Sequence, residues 1–202
     1  VALWEVLRHR PDHPFRDGPF VFFIFVLMPV QTLFAHNWLT IPYYLARAFA
    51  GSWVGANFEL FSNINPLLIF VFTPIVAGLT ARANEYNMMI VGTFVMAVPT
   101  FLLVLGPNPV LFMIYILLMS IGEAIWQPRF LQWIAEIAPP GRTGAYMGIG
   151  QFPCFLTKVV TAFYSCWFVQ NYIPLPDAGL PMRTSQLWFI YALIAMVTPV
   201  AL

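Results

Sequence analysis

The sequence has very few charged residues. Only 8% of its 202 residues are Asp, Glu, Lys or Arg, whereas 60% are hydrophobic. In an average soluble domain, roughly a quarter of the residues are charged. The net charge of +1 leaves no basic face or stripe of the kind that binds nucleic acid. The composition therefore predicts an integral membrane protein that is surrounded by a lipid bilayer and has no nucleic-acid partner.

Cysteine is scarce as well. Cys154 and Cys166 fall in one apolar run, and their separation corresponds to about 18 Å along a helix axis. That distance is too long for a disulfide within one helix. We therefore predict two buried free thiols.

The motifs of soluble-enzyme chemistry are missing. The sequence contains no phosphate-binding loop, no GxSxG motif, no His or Cys cluster with metal-ligand spacing and no pair of carboxylates at catalytic spacing. We therefore expect no enzymatic activity, no metal and no cofactor.

Long hydrophobic runs fill most of the chain, and polar turns separate them. The pattern predicts an all-α, polytopic membrane protein with a polar lead-in at 1–18, followed by a six-helix bundle over 19–202, with spans at about 19–47, 58–80, 88–105, 110–137, 143–169 and 187–202. The last run is shorter than the ~20 residues that a span needs. Because the chain also begins at Val1 rather than at Met, we interpret the sequence as a piece of a longer protein.

Prolines inside these runs predict where the helices bend. Proline removes a helix hydrogen bond and clashes with the preceding turn. We expect the first span to kink near Pro29 or Pro42 and the fourth near Pro128. The third to the fifth spans are expected to be the most regular.

The arginines are distributed unevenly between the two ends of the spans. Six spans place both termini on one side, which also holds most of the basic residues: Arg8, Arg10, Arg16, Arg82 and Arg142. The opposite loops carry Arg47 and Arg183. The positive-inside rule therefore predicts that the lead-in and the short basic turns lie in the cytoplasm or its topological equivalent.

Glu123 and Lys158 are the charged residues nearest the middle of two consecutive spans. A charged side chain at that depth costs several kcal/mol unless it finds a proton, a counter-ion or water. A short turn joins the two spans, so they are antiparallel neighbours and place the two side chains at a similar depth. We predict that the two groups form an ion pair in at least one conformation. The pair either serves a transport pathway or only holds two helices together.

Four other side chains are candidates for the same site, and each has a structural alternative. Gln127 lies one turn after Glu123. Trp126 either lines a cavity or packs in the core. His36 is either a proton relay or a histidine that is simply hydrogen-bonded. Asn65 either lines a cavity or satisfies the backbone that is loosened by Pro66.

Two motifs carry a resemblance to a known family. The run 120–128, SIGEAIWQP, is followed by Ala138-Pro139 and by Tyr146-Met147-Gly148. Together they resemble the tenth helix and the following turn of proton-coupled oligopeptide transporters, which belong to the major facilitator superfamily. Ile64-Asn65-Pro66, with Pro74 further on, resembles the eighth helix of that family.

The resemblance implies a fold and a function. The six spans would be the C-terminal half of a major-facilitator fold, and an N-terminal six-helix half on the same or another chain would complete it. The glutamate that matches Glu123 lines the central cavity in that family, binds the amino end of the substrate and couples transport to protons. We therefore expect a secondary transporter that moves a small, peptide-like organic solute with protons. The alternative is a transporter-derived structural subunit of a larger membrane complex.

Overall fold

The computed structural model describes residues 14–175 and 179–202, which form helices and turns and contain no strand. Within these residues, six helices are long and apolar enough to cross a bilayer, and we number them first to sixth: Gly18–Leu39, Phe58–Leu79, Glu85–Leu105, Pro109–Ile137, Thr143–Tyr172 and Thr184–Ala201. They confirm the prediction of an all-α, multi-pass integral membrane protein. Residues 1–13 of the predicted lead-in, with Arg8 and Arg10, lie outside the described part of the chain.

Several spans are composed of shorter helices. The first span contains Gly18–Val26 and Met28–Leu39 and is followed by Ile41–Ala48, and the second contains Phe58–Ser62 and Ile64–Leu79. The third span contains Glu85–Ala97 and a 3-10 helix over Val98–Leu105. The fifth span contains Thr143–Gly150 and Phe152–Tyr172. The fourth and the sixth spans are single helices, and a short helix, Trp53–Ala56, lies between the first two spans.

A proline lies within three residues after each of these interruptions. The helix breaks at Leu27 and Thr40 precede Pro29 and Pro42, as predicted for the first span. The third and the fifth spans are interrupted too, just before Pro99 and Pro153, so the expectation that they are among the most regular was wrong. The missing proline N–H and the ring's clash with the preceding turn explain these positions. The fourth span, in contrast, continues without interruption through Pro128.

The break in the first span is bridged by a side chain from the sixth. The backbone N–H of Val30 donates to Thr198 Oγ1 at 3.0 Å, and the Thr198 hydroxyl donates to the Val26 carbonyl oxygen at 2.8 Å. One hydroxyl thereby satisfies both backbone groups that the break leaves without a helical partner. Such repair by a neighbouring helix is how membrane proteins tolerate proline within a span.

The fourth span is held close to the third by two glycines. A Cβ atom on Gly122 would lie 2.6 Å from the backbone nitrogen of Met96 and 2.7 Å from the Gly92 carbonyl oxygen. A Cβ atom on Gly92 would likewise lie 2.7 Å from the Cβ of Trp126. Small residues allow membrane helices to pack this closely. This contact fixes which face of the fourth span is turned away from the third, and so positions Glu123.

The remaining spans pack around this pair. The fourth span also contacts the second, and the first span packs against the fifth and the sixth. The second and the fifth spans are the least buried of the six. Both cysteines in the fifth span are free, as predicted, but neither is fully buried: Cys154 is half-buried and Cys166 is exposed, on a span that is among the least buried.

Candidate functional site

A cavity of about 380 Å³ lies among four of the six spans. The first, second, fourth and fifth spans line it, and its polar lining includes Gln31, Asn37, Asn65, Glu123, Gln127 and Lys158. Its volume is within the range of small-molecule sites, about 300–1,000 Å³. Trp126 also lines the cavity. Five of the six residues singled out from the sequence therefore face one space.

Glu123 forms the floor of this cavity together with two polar neighbours. Its side chain is 6% exposed. Asn65 Nδ2 donates to Glu123 Oε2 at 3.1 Å and to Ser120 Oγ at 3.0 Å, and the Ser120 hydroxyl donates to the Ile116 carbonyl oxygen. The break at Asn63 starts a new helix at Ile64, which points Asn65 inward as the only buried side chain of Ile64–Leu79. Asn65 thus lines the cavity, the first of its two interpretations.

No cation balances Glu123 among the residues that the structure describes. Its hydrogen bond comes from a neutral amide, and Lys158 forms no hydrogen bond or ion pair with any residue in 14–175 or 179–202. The direct ion pair that the sequence predicts is therefore not formed in this structure, although both side chains line the same cavity. The two side chains are separated by their distance from the protein interior rather than by their depth along the helices. Glu123 is buried on the floor of the cavity, whereas Lys158 is exposed on its rim.

Buried polar atoms without partners surround the floor. Gln31 Oε1, Asn37 Oδ1 and Trp126 Nε1 have no hydrogen-bond partner in the described part of the chain, and their side chains are at most 5% exposed. Buried polar groups are normally satisfied by protein or water. The three residues line the same cavity as Glu123, so their buried polar atoms are candidates to pair with water or with a bound solute.

The sequence interpretation did not select Gln31 and Asn37 as site residues. Both are carboxamides in a mostly apolar helix, Met28–Leu39, and that contrast was the available signal. Their direction could not be read from spacing, because the breaks at Leu27 and Thr40 set the rotation of this helix separately from its neighbours.

His36 does not line the cavity. Its ring is fully buried, with Nδ1 at 2.9 Å from the Thr40 hydroxyl oxygen and Nε2 at 3.2 Å from that of Tyr164. The ring also stacks on Tyr191, with centroids 3.6 Å apart. Both nitrogens are occupied, so the geometry matches a structural histidine that is hydrogen-bonded to Tyr164 of the fifth span and stacked on Tyr191 of the sixth.

The arrangement can hold either a proton or a cationic group at one place. A buried, unpaired carboxylate binds a proton to become neutral, or binds a cation to become paired. Asn65 and the free acceptors can orient a donor-rich group beside it, and the exposed rim provides access from outside.

Comparisons of this chain with protein-family models, with curated proteins and with solved structures found no match.

Proposed function

We propose that the chain is one half of a proton-coupled secondary transporter for a small organic solute. The observation that carries the proposal is the position of Glu123, which is buried and unpaired on the floor of a cavity shared by four spans. Ionisable residues within membrane spans commonly mark ion or substrate pathways. The resemblance of 120–128 and 64–66 to proton-coupled oligopeptide transporters supports the same function.

Coupling follows from competition for one carboxylate. A proton on Glu123 removes its charge, and a cationic group of the solute requires that charge. The two therefore exclude each other at the floor, so that binding one releases the other. Alternating access converts this competition into an exchange of solute for protons when the site faces each side of the membrane in turn. The co-transport with protons that the resemblance implies would need a further protonatable group in the second half.

The lining indicates a solute with groups of opposite charge. Glu123 is an acceptor on the floor, Gln31 and Asn37 contribute carboxamides to the lining, and Lys158 supplies a cation on the rim. An amino group fits the floor and a carboxylate fits the rim, as in a peptide-like molecule. Gln127 and Trp126 Nε1 provide further polar contacts between them.

The same proposal requires a partner for the open side of the cavity. Alternating access needs walls on both sides of a central site, and the rim carries exposed side chains such as Trp38 and Lys158. A second six-helix half, on the same or another polypeptide, would complete the site. A structural subunit without transport is the alternative function.

Replacing Glu123 by Gln tests the coupling role. Gln resembles the protonated acid in shape and can still accept the Asn65 hydrogen bond. In proteoliposomes that contain the intact protein with its native partners, E123Q is expected to abolish uptake driven by a proton gradient and to retain part of the solute exchange. Glu59→Gln is the matched control, because Glu59 belongs to the second span but is exposed and does not line this cavity.

Each outcome discriminates between the functions. Wild-type rates of gradient-driven uptake in E123Q would remove Glu123 from the coupling mechanism. Loss of uptake in both E123Q and E59Q would point to a general loss of charge or stability. The absence of transport by the wild type in its complete assembly would favour the structural subunit.

A further inference from the structure

A second polar cluster lies where the second span ends. Arg129 of the fourth span donates from Nη2 to the carbonyl oxygen of Thr80 and, at 2.9 Å, to Thr80 Oγ1. Its Nη1 donates to Gln132 Oε1 at 2.8 Å. Thr80 caps the carboxyl end of Ile64–Leu79, where backbone carbonyls without helical partners attract a cation. Gln132 also connects Arg129 to Glu136, two turns further along the same helix.

No carboxylate in the described part of the chain neutralises the charge of Arg129 directly. Its side chain is 7% exposed, and its hydrogen bonds go to a carbonyl, a hydroxyl and an amide rather than to a carboxylate. A guanidinium group has five N–H donors, and these contacts occupy at most three of them. A buried cation with spare donors calls for an anion that can approach it.

A crevice of about 250 Å³ opens beside this guanidinium group. It lies between the second and fourth spans, and its walls include the small side chains of Ala77, Ala81 and Ala124 together with Pro128. Arg129 and Gln132 also line it. The second span ends at Leu79, so Thr80 and the crevice lie at the boundary between the apolar and the polar regions of the membrane. A group that enters here is a lipid headgroup or a solute from the adjoining water.

Two carboxylates lie beyond the guanidinium group, toward the turns. Gln132 Nε2 donates to Glu85 Oε1 at 2.9 Å and to Glu136 Oε1 at 3.1 Å. Arg129, Gln132 and Glu136 follow one face of the fourth span, and Glu136 is about 10 Å nearer its end than Arg129. The order from the membrane outward is therefore a cation, a neutral amide and two anions.

We propose that this cluster binds the headgroup of a zwitterionic phospholipid with a primary amine, of the phosphatidylethanolamine type. The phosphate, which lies deeper, accepts hydrogen bonds from Arg129. The ammonium group, which lies further out, donates to Glu85 and Glu136, while an acyl chain follows the crevice along Ala77 and Ala124. The carboxylates disfavour a purely anionic headgroup, and a trimethylated amine lacks the N–H donors that they require.

Native mass spectrometry of the intact protein tests this lipid preference. The wild type, purified from its membrane and offered equal amounts of phosphatidylethanolamine, phosphatidylcholine and phosphatidylglycerol, is expected to retain one ethanolamine lipid with a preference of about fivefold. This is the upper end of what one exposed pair between an ammonium group and a carboxylate contributes. R129Q is expected to lose retention of all three lipids. E85Q is expected to retain lipid but no longer to distinguish ethanolamine from choline. Arg82→Gln, which removes an exposed charge from the adjacent turn, is the control and should behave as the wild type does.

A second variant distinguishes the loss of lipid binding from the loss of the hydrogen bonds between Arg129 and Thr80. Ala77→Leu fills the crevice without touching Arg129, so it should also abolish retention while leaving the Arg129–Thr80 contact in place. Soluble phosphoethanolamine and inorganic phosphate, added in detergent, should not raise the melting temperature, because the acyl chain contributes to binding. Equal retention of the three lipids by the wild type, unchanged retention in R129Q and A77L, or full stabilisation by phosphate alone would each overturn the proposal.

Discussion

At the scale of single residues, the most informative contrast is between Glu123 and Lys158. Both line one cavity, yet Asn65 binds the carboxylate and the amine has no partner among the residues described. Lys158 is also the only lysine in the sequence. An exposed amine without an ion pair contributes nothing to holding helices together, so its value to the proposed transporter is in binding the solute.

Replacing Lys158 by Gln should therefore separate binding from stability. We expect an unchanged melting temperature, because no contact is lost, and a KM raised by about tenfold for a solute that carries a carboxylate, the loss of one charge-assisted hydrogen bond. Transport assays and thermal unfolding of the same preparation measure the two quantities. Lys158→Arg should restore most of the affinity. A lower melting temperature with an unchanged KM would instead assign Lys158 a structural role.

The depth of these two residues in the membrane could be predicted from the sequence better than the direction in which their side chains point. Residue counts placed Glu123 and Lys158 at one level, since rise per residue is fixed in a helix. Rotation about the axis depends on tertiary contacts, such as the Gly92–Gly122 approach and the break at Gln151. The same limit explains why His36 was a candidate for the site although it does not line the cavity. It lies in the same helix as Gln31 and Asn37 but faces the fifth and sixth spans.

At the scale of helices, the number and type of the elements could be predicted from composition, whereas their continuity could not. Every long apolar run became a span, because only helices satisfy their own backbone groups in lipid. Prolines marked all the interruptions, but Pro74, Pro128 and Pro199 lie inside continuous helices. Which proline breaks a helix therefore depends on its neighbours as well as on its ring.

The contact between the third and fourth spans predicts the effect of a single methyl group. Gly122→Ala places a Cβ against the backbone of Met96 and Gly92, which cannot move aside as a flexible side chain can. We expect a loss of about 1–3 kcal/mol of stability, the range for overpacked sites, measured as a lower unfolding midpoint. Gly144→Ala is the control, because it also lies in a helix but has nothing within 4 Å of its Cβ position. Equal midpoints in the two variants would contradict the close approach.

At the scale of the whole molecule, the cavity has exposed side chains from each of its four spans: Trp38, Pro66, Gln127, Gln151 and Lys158. Two of these spans, the second and the fifth, are the least buried of the six and present exposed faces. Such faces are covered either by lipid or by protein. The proposed function assigns the cavity side to protein, because a solute pathway open to the bilayer would not keep the solute in water.

Photo-crosslinking at two aromatic positions shows whether lipid or protein covers the exposed faces of the spans. Phe155 of the fifth span follows the cavity-lining Cys154, whereas Phe94 belongs to the third span, which does not contribute to the lining found; both are exposed. A photoreactive phenylalanine at 155 in the native membrane is expected to form adducts with peptides from outside residues 1–202. At 94 it should form lipid adducts. Lipid adducts alone at both positions would argue against a second half at this face.

The hydroxyl of Thr198 also has a consequence for biosynthesis. Ribosomes deliver the first span to the membrane long before the sixth, so the Val26 carbonyl and the Val30 amide must wait for a partner that lies 172 and 168 residues further along the chain. Each backbone group left unpaired in lipid raises the free energy by several kcal/mol. The nascent first span is therefore more stable beside the insertion machinery than alone in lipid until the sixth arrives. A variant without the Thr198 hydroxyl would therefore leave these two groups of the first span unpaired, and we expect more of it to be degraded.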